Sequence, residues 1–531
     1  MIDPILQKKV GRLFVVGFEG KQMTPQLRNL IHHYHIGGII LFSRNIGTPE
    51  EVLVLTTTLQ KEAKNAGYTY PLLICIDQEN GVVRRLGEGA TIFPGAMAQG
   101  ATHNPDNAYT IGVATGKELK ALGINWNLAP VLDVNNNSDN PVIGVRSFGE
   151  SPEQVALFGK ASMQGMQRAG VATTLKHFPG HGDTHVDSHL DLPVINHDID
   201  RLEKSEFIPF QQCIDAGADI IMAAHIYFPA LEKEKGIPAT LSKNVLTHLL
   251  REKLGFTGVI TTDCMEMNAI SETIGTEKGA VAALKAGADL VMVSHTYERQ
   301  IGAIKEVVSA MERGELDERN INTSMDRVHR LNKKYVSWEE SLQTDSTNIV
   351  QIVGSLKHEQ LAFDVYKNSV TIVKNEQVLP LQLNENNKIL VLEPLSKTRV
   401  LVEDKNNERY LLGNAIKEFH SQTDIELIEL PLIDKQIEDI LKYATNYDSI
   451  IFGTLTISSD PLYQQLIHQL YDKDTTLIGI GMRNPYDISC IKGVDAFINT
   501  YEPNKTALKV AASAIFGEVD VKGELPVRID G

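Results

Sequence analysis

The chain is short of several things, and each shortage removes a class of function. Four cysteines in 531 residues, Cys75, Cys213, Cys264 and Cys490, lie far apart with no Cys-x-x-Cys spacing. That excludes a disulfide framework and a thiolate zinc site, and leaves reduced, mostly buried thiols. Cations are outnumbered, 51 Lys and Arg against 67 Asp and Glu for a net charge of −16, so the clustered basic surface that nucleic acid demands is missing. The pairs Arg84-Arg85 and Lys333-Lys334 are short and isolated, and read as solvated or core-edge charges. No apolar run approaches the roughly 20 residues of a membrane helix. The opening Met1-Ile2-Asp3-Pro4-Ile5 lacks the basic and apolar regions of a signal peptide. The expectation is a cytoplasmic monomer with no nucleic-acid partner, no membrane partner and no cofactor.

What is present is globular: 42% apolar and 22% charged residues. The first two thirds alternate short apolar runs with amphipathic segments, the pattern of a parallel sheet wrapped by helices. The runs are 13–18, 38–42, 72–77, 124–134, 171–177, 220–225, 259–263 and 290–294. Helical patterns such as 49–66 and 276–286 lie between them. Eight strand–helix units predict a (β/α)8 TIM-type barrel over 1–336. A polar stretch around 338–347 reads as part of a linker over 337–357. Residues 358–531 carry five further apolar runs, at 369–373, 389–392, 450–452, 476–480 and 496–498, and predict an open αβα sandwich. No charged constellation stands out at the strand ends of this second region.

Barrel enzymes keep their chemistry at the C-terminal ends of the strands, where the loops converge. The polar residues closing the apolar runs are Asp77, Asp133, Lys176-His177, His225, Asp263 and His295, with Arg146 a little beyond the fourth run. An apolar strand has no structural use for a terminal Asp or Lys-His pair, so their convergence marks a candidate site. Asp263 reads as an N-cap or as a carboxylate nucleophile held ionised by Arg146 and Lys176. His177, His181, His185 and His189 fall four apart, but Pro179, Gly180 and Gly182 forbid a regular helix there. A metal cluster from these histidines is the alternative. The known metal barrels place a His-x-His on the first strand, and run 13–18 has none. Asp187 and His189, two apart, can point the same way in an extended loop, the acid fixing the imidazole tautomer for proton transfer.

At these residues the sequence resembles the family 3 glycoside hydrolases, in their β-N-acetylglucosaminidase branch. The carrying motif is Lys176-His177-Phe178-Pro179-Gly180-His181-Gly182, followed by Asp187-Ser188-His189. Ile76-Asp77-Gln78-Glu79-Asn80-Gly81 resembles the family's Asp-Gln-Glu-Gly-Gly segment, with Asn80 replacing the first glycine of the pair. Arg146-Ser147-Phe148 and Thr262-Asp263-Cys264-Met265-Glu266 match its Arg-Ser-Phe segment and nucleophile strand end. Segments 368–381 and 523–529 extend the likeness into the second region. The resemblance implies Asp263 as nucleophile, Asp187 and His189 as an acid/base dyad, and Asp77, Arg146, Lys176 and His177 as contacts to an N-acetylglucosamine ring. It implies retaining hydrolysis of muropeptides or chitin oligosaccharides without a metal. Phosphorolysis of the same bond, a metal-dependent barrel hydrolase and a non-catalytic sugar-binding protein are the competing readings.

Overall fold

The computed structural model describes residues 3–185, 192–343, 347–395, 403, 410–471 and 475–529. Eight parallel strands close into a barrel: β1 (Phe14–Val16), β2 (Gly38–Leu41), β3 (Leu73–Ile76), β4 (Trp126–Asn127), β5 (Ala172–Phe178), β6 (Ile220–Ala223), β7 (Val259–Cys264) and β8 (Leu290–Val293). Every strand falls on one of the eight expected runs. Each pairs with its neighbour in the chain, and β8 returns to β1 with Phe14 opposite Val291. Run 124–134 is the outlier, since only Trp126 and Asn127 join the ladder as a strand. Pro130 offers no N–H there, and the chain continues as a loop with one isolated bridge, Val131 to Lys176.

The barrel is filled rather than hollow. Val15, Ile40, Cys75, Trp126, Met222 and Met292 belong to one buried cluster, and the Trp126 indole N–H donates to Thr174 Oγ1 at 2.6 Å. The wrapping helices start where the sequence places caps. Thr48 Oγ1 accepts from the Glu51 N–H at 3.3 Å while Glu51 Oε2 accepts from the Thr48 N–H at 2.9 Å, opening helix Pro49–Asn65. Asn104-Pro105 and Ser151-Pro152 open the next two long helices on the same plan. Segment 337–357 holds two short helices, Trp338–Ser341 and Thr347–Ile352, and Ile349 and Val353 are buried in the barrel's outer core.

Helix Leu356–Ser369 leads into a six-stranded sheet. Its strands are β9 (Thr371–Asn375), β10 (Ile389–Leu395), β11 (Thr423–Glu429), β12 (Ser449–Thr454), β13 (Thr476–Gly481) and β14 (Ala496–Asn499). Their order is β9-β14-β13-β12-β10-β11, all parallel except β9 against β14. Helices cover both faces: Val365, Leu412 and Leu508 pack on one, Ile437, Ile440 and Leu466 on the other. β11 is the strand that the apolar runs do not predict. It is an edge strand whose Asp424 and Glu426 break the hydrophobic pattern, leaving only Thr423 and Ile428 buried. The first core is continuous with Phe93, Ile111 and Ala114 of the barrel. Glu118 of the barrel accepts from Thr91 Oγ1 at 2.6 Å and from His358 Nδ1 of helix Leu356–Ser369 at 2.8 Å. Among the described residues, no helix is long and apolar enough to cross a membrane.

Candidate active site

The barrel mouth opens at the C-terminal strand ends. Directly after β3 the chain makes a tight hairpin, Gln78–Asn80 against Val83–Arg84. Its turn needs two left-handed residues, supplied by Asn80 with φ 70 and Gly81 with φ 62. Asn tolerates that conformation better than other side chains, so the substitution at residue 80 preserves the turn.

That hairpin presents Glu79, and Glu79 organises the site. Arg146, from the loop after β4, donates from Nε and Nη2 to its two carboxylate oxygens, both at 2.8 Å. Lys176, on β5, places Nζ 2.7 Å from Glu79 Oε1 and 2.8 Å from Asp77 Oδ1. Arg85 Nη2 lies 3.6 Å from Asp77 Oδ2. Two carboxylates and three cations are thus interlocked with little access to water. Burial opposes charge on Glu79, but Arg146 and Lys176 outweigh it and hold its carboxyl far below the ordinary value. Burial likewise opposes charge on Lys176, and Asp77 and Glu79 more than compensate, raising its pKa.

A second buried unit adjoins the first. His177 Nδ1 donates to Asp133 Oδ2 at 2.7 Å, while Asp133 Oδ1 accepts from the backbone N–H groups of His177 at 3.1 Å and His181 at 2.7 Å. An anionic acceptor at Nδ1 selects the tautomer that keeps Nε2 as an acceptor. Burial raises the Asp133 pKa and His177 lowers it, and the net shift is downward. Burial, with His177 beside it, pushes the His181 imidazole down to about 4.

Residues 179–185 form turns and loop, not a helix, so the four-residue histidine spacing has no helical meaning. Asn140 Nδ2 donates to the His181 and Gly182 carbonyl oxygens, each at 2.9 Å, and pins this segment. Gly182 packs so tightly that a Cβ there would lie 1.6 Å from the Val134 carbonyl oxygen. Asp187 and His189 belong to 186–191, outside the described residues. Among the described residues, no group of three or more His, Cys, Asp or Glu is arranged to hold a metal ion.

Asp263 is the penultimate residue of β7, with Oδ1 accepting from the Cys264 N–H at 2.6 Å. The cations expected beside it hydrogen-bond elsewhere: Arg146 to Glu79 and the Val142 carbonyl oxygen, Lys176 to Asp77 and Glu79. His225 is buried between Thr240 Oγ1 at 2.8 Å and the Cys264 carbonyl oxygen at 3.0 Å. Glu266, in the turn after β7, accepts the His295 N–H at 2.6 Å.

The structure therefore joins Asp77, Arg146, Lys176 and His177 in one buried assembly, with Asp263 two strands further round the barrel. It also narrows one reading and corrects another. Of the solvated and core-edge readings of Arg85, the structure supports burial: it is 7% exposed and faces Asp77. The second region does carry a charged group of consequence, since Glu502, just beyond β14, accepts the barrel's Gly95 N–H at 2.6 Å. Glu79 lies within the Asp77-Gln78-Glu79 segment, yet its role is not among the sequence expectations. Its signal was the Asp77-x-Glu79 spacing at a strand end.

Fold and site together define a (β/α)8-barrel protein with a buried assembly of ion-paired carboxylates and cations at its strand ends. Residues 5–331 match the family model described as "Glycosyl hydrolase family 3 N terminal domain". The chain belongs to glycosyl hydrolase family 3. It is 38% identical over 382 residues to "Beta-hexosaminidase A" of Pseudoalteromonas piscicida, covering 68% of this chain and 63% of that protein. It is 35% identical over 289 residues to "Beta-hexosaminidase" of Stenotrophomonas maltophilia (strain K279a), covering 53% of this chain and 83% of that one. The chain thus spans less than two thirds of the length of the Pseudoalteromonas relative. Among solved structures, it resembles a glycoside hydrolase family 3 β-N-acetylglucosaminidase from Paenibacillus sp. str. FPU-7 with a TM-score of 0.91 at 38% identity, covering 99% of each chain.

Proposed function

We propose that the chain is a retaining β-N-acetylglucosaminidase that removes terminal, non-reducing, β-linked N-acetylglucosamine. The observation that carries this reading is the interlocked assembly of Asp77, Glu79, Arg146 and Lys176 beside the His177–Asp133 pair. A neutral sugar offers hydroxyls and an amide, which need fixed donors and acceptors rather than net charge. Buried, mutually neutralised carboxylates and cations supply both at no reorganisation cost. The Paenibacillus relative is named for N-acetylglucosamine, and the Pseudoalteromonas and Stenotrophomonas relatives for a β-hexosaminidase, which supports this reading.

In the proposed reaction Asp263 attacks the anomeric carbon, and His189, oriented by Asp187, protonates the departing oxygen. Water deprotonated by His189 then displaces Asp263, so configuration is retained. Catalysis belongs to the barrel, 1–336, and the sandwich, 358–531, follows the 337–357 segment. We place the enzyme in the cytoplasm as a monomer acting on muropeptide or chitin-derived fragments.

The test is hydrolysis of p-nitrophenyl N-acetyl-β-glucosaminide against the plain β-glucoside, with and without phosphate and EDTA. The acetamido sugar should be strongly preferred, with release independent of phosphate and unaffected by chelation. Equal turnover of both sugars would sink the assignment. A 5-fluoro sugar should trap a covalent adduct on Asp263.

A further inference from the structure

The second domain has no part in the reaction as proposed, yet it sends a deeply buried carboxylate to the barrel. Glu502 is 3% exposed and lies just beyond the end of β14. Its Oε1 accepts the Gly95 N–H at 2.6 Å. Its Oε2 accepts from Tyr366 Oη at 2.9 Å, and from Asn504 Nδ2 at 2.6 Å. Tyr366 is held by helix Leu356–Ser369, and Asn504 caps helix Lys505–Ile515 by accepting the Ala507 N–H at 3.0 Å. The carboxylate is therefore fixed from its own domain while it grips the barrel.

What it grips is the back of the sugar-binding hairpin. Gly95 and Gly81 are in such close contact that a Cβ on Gly81 would lie 2.7 Å from Gly95 Cα and 3.3 Å from Glu502 Oε1. The Gly81 N–H donates to the Phe93 carbonyl oxygen at 3.2 Å, which ties the turn to the same strap. Gly81 follows Glu79 by two residues. A small cavity lined by Glu79, Asn80, Gly81, Gly95, Arg146 and Glu502 lies between the clamp and the Glu79–Arg146 pair.

We infer that Glu502 is a positioning residue: through Gly95 and Gly81 it sets the turn that aims Asp77 and Glu79 into the barrel mouth. The inference rests on Asp77, Arg146 and Lys176 being sugar contacts, as proposed above. All three groups bonded to Glu502 are donors, so the site suits the ionised carboxylate, and a proton on it costs one bond. The charged or titratable groups facing it are Arg84 from the hairpin and Tyr366 from the helix. Burial lifts its carboxyl to about 7, against the pull of the Gly95 N–H, Tyr366, Arg84 and Asn504. A proton on Glu502 takes one of these bonds and loosens the clamp, so KM should rise as pH falls through that range.

The experiment measures kcat and KM for p-nitrophenyl N-acetyl-β-glucosaminide from about pH 5 to 9. Glu502→Gln sets an amide NH2 against at least one of the three donors. It should raise KM about five- to twentyfold with kcat within about threefold, and abolish the acid-side rise in KM. Unchanged KM with unchanged pH dependence overturns the inference. Should Glu502→Gln fail to fold, Tyr366→Phe carries the test. Loss of that donor must move the rise in KM to higher pH, and an unmoved rise overturns the inference equally. Lys176→Met is run in parallel and should lose about 100-fold or more in kcat/KM. Silence there sinks the sugar-binding reading and this inference with it. An impaired Lys176→Met beside a silent Glu502→Gln sinks the role of Glu502 alone.

Discussion

Glu79 and Arg146 meet as a two-armed pair, 2.8 Å on each arm, with both side chains buried at the wall of the barrel mouth. Such a pair adds little net stability over apolar residues of the same volume, because two charges have left water. Its value, on the function proposed here, is polarity held rigid beside the sugar.

Removing one member is a different matter. Glu79→Ala takes from the buried Arg146 its direct ion-pair partner and from Lys176 one of two, at a cost of about 3–5 kcal/mol. Denaturant unfolding should show that loss, and kcat/KM should collapse with it. The wild-type contribution is present above the ordinary carboxyl value of 4.5 and is lost as pH falls below it, because the native pKa is depressed. Glu79→Ala should therefore flatten the acid limb of a stability profile.

Gly182→Ala tests the segment that leads towards Asp187 and His189. The new Cβ meets the Val134 carbonyl oxygen, which is backbone and cannot swing aside. The segment has to move by the order of an ångström, which costs about 100-fold in rate when reacting groups lose alignment. A variant with kcat/KM within threefold of wild type, at about the precision of such assays, would show that residue 182 does not govern the site.

Asp263→Asn keeps shape and removes the charge. Loss of a nucleophile should lower kcat by about 1000-fold or more, with the melting temperature nearly unchanged. Retained turnover would rule out a covalent intermediate at this position.

Asp487 gives a pH prediction of opposite sign to Glu79. It is fully buried in the sandwich domain, accepts the Ile457 N–H at 3.0 Å, and burial pushes its carboxyl up to about 7. In the unfolded chain it ionises near 3.8. Between those values the native state holds a proton that the unfolded state has released, so stability falls as pH rises through the window. Melting temperatures taken from about pH 4 to 7 should decline in the wild type and decline less in Asp487→Asn. Identical slopes would exclude Asp487 as the source.

The parts of the fold legible in the sequence are those decided locally. Barrel strands such as Ile220–Ala223 and Leu290–Val293 are buried on both faces and appear as unbroken apolar runs. The caps at Thr48 and Ser151 mark helix starts in the same local way. β11 escaped because an edge strand half open to water alternates polar and apolar residues and looks like a loop segment. At the site, Asp77, Lys176 and His177 were legible as polar ends on apolar strands. The role of Glu79 was not, since it depends on an arginine 67 residues away. Glu502 was further out of reach: the N–H it accepts is 407 residues earlier. Long-range polar pairing leaves no periodic trace.

β11 also bears on how the molecule behaves in a crowded solution. Its seven residues pair along one side with β10, and among the described residues no strand pairs with the other side, whose backbone donors and acceptors a second chain could extend. Asp424, Glu426 and Glu429 are spaced along that border. Two such borders approaching each other would bring carboxylates face to face, an arrangement of like charges that works against edge-to-edge pairing.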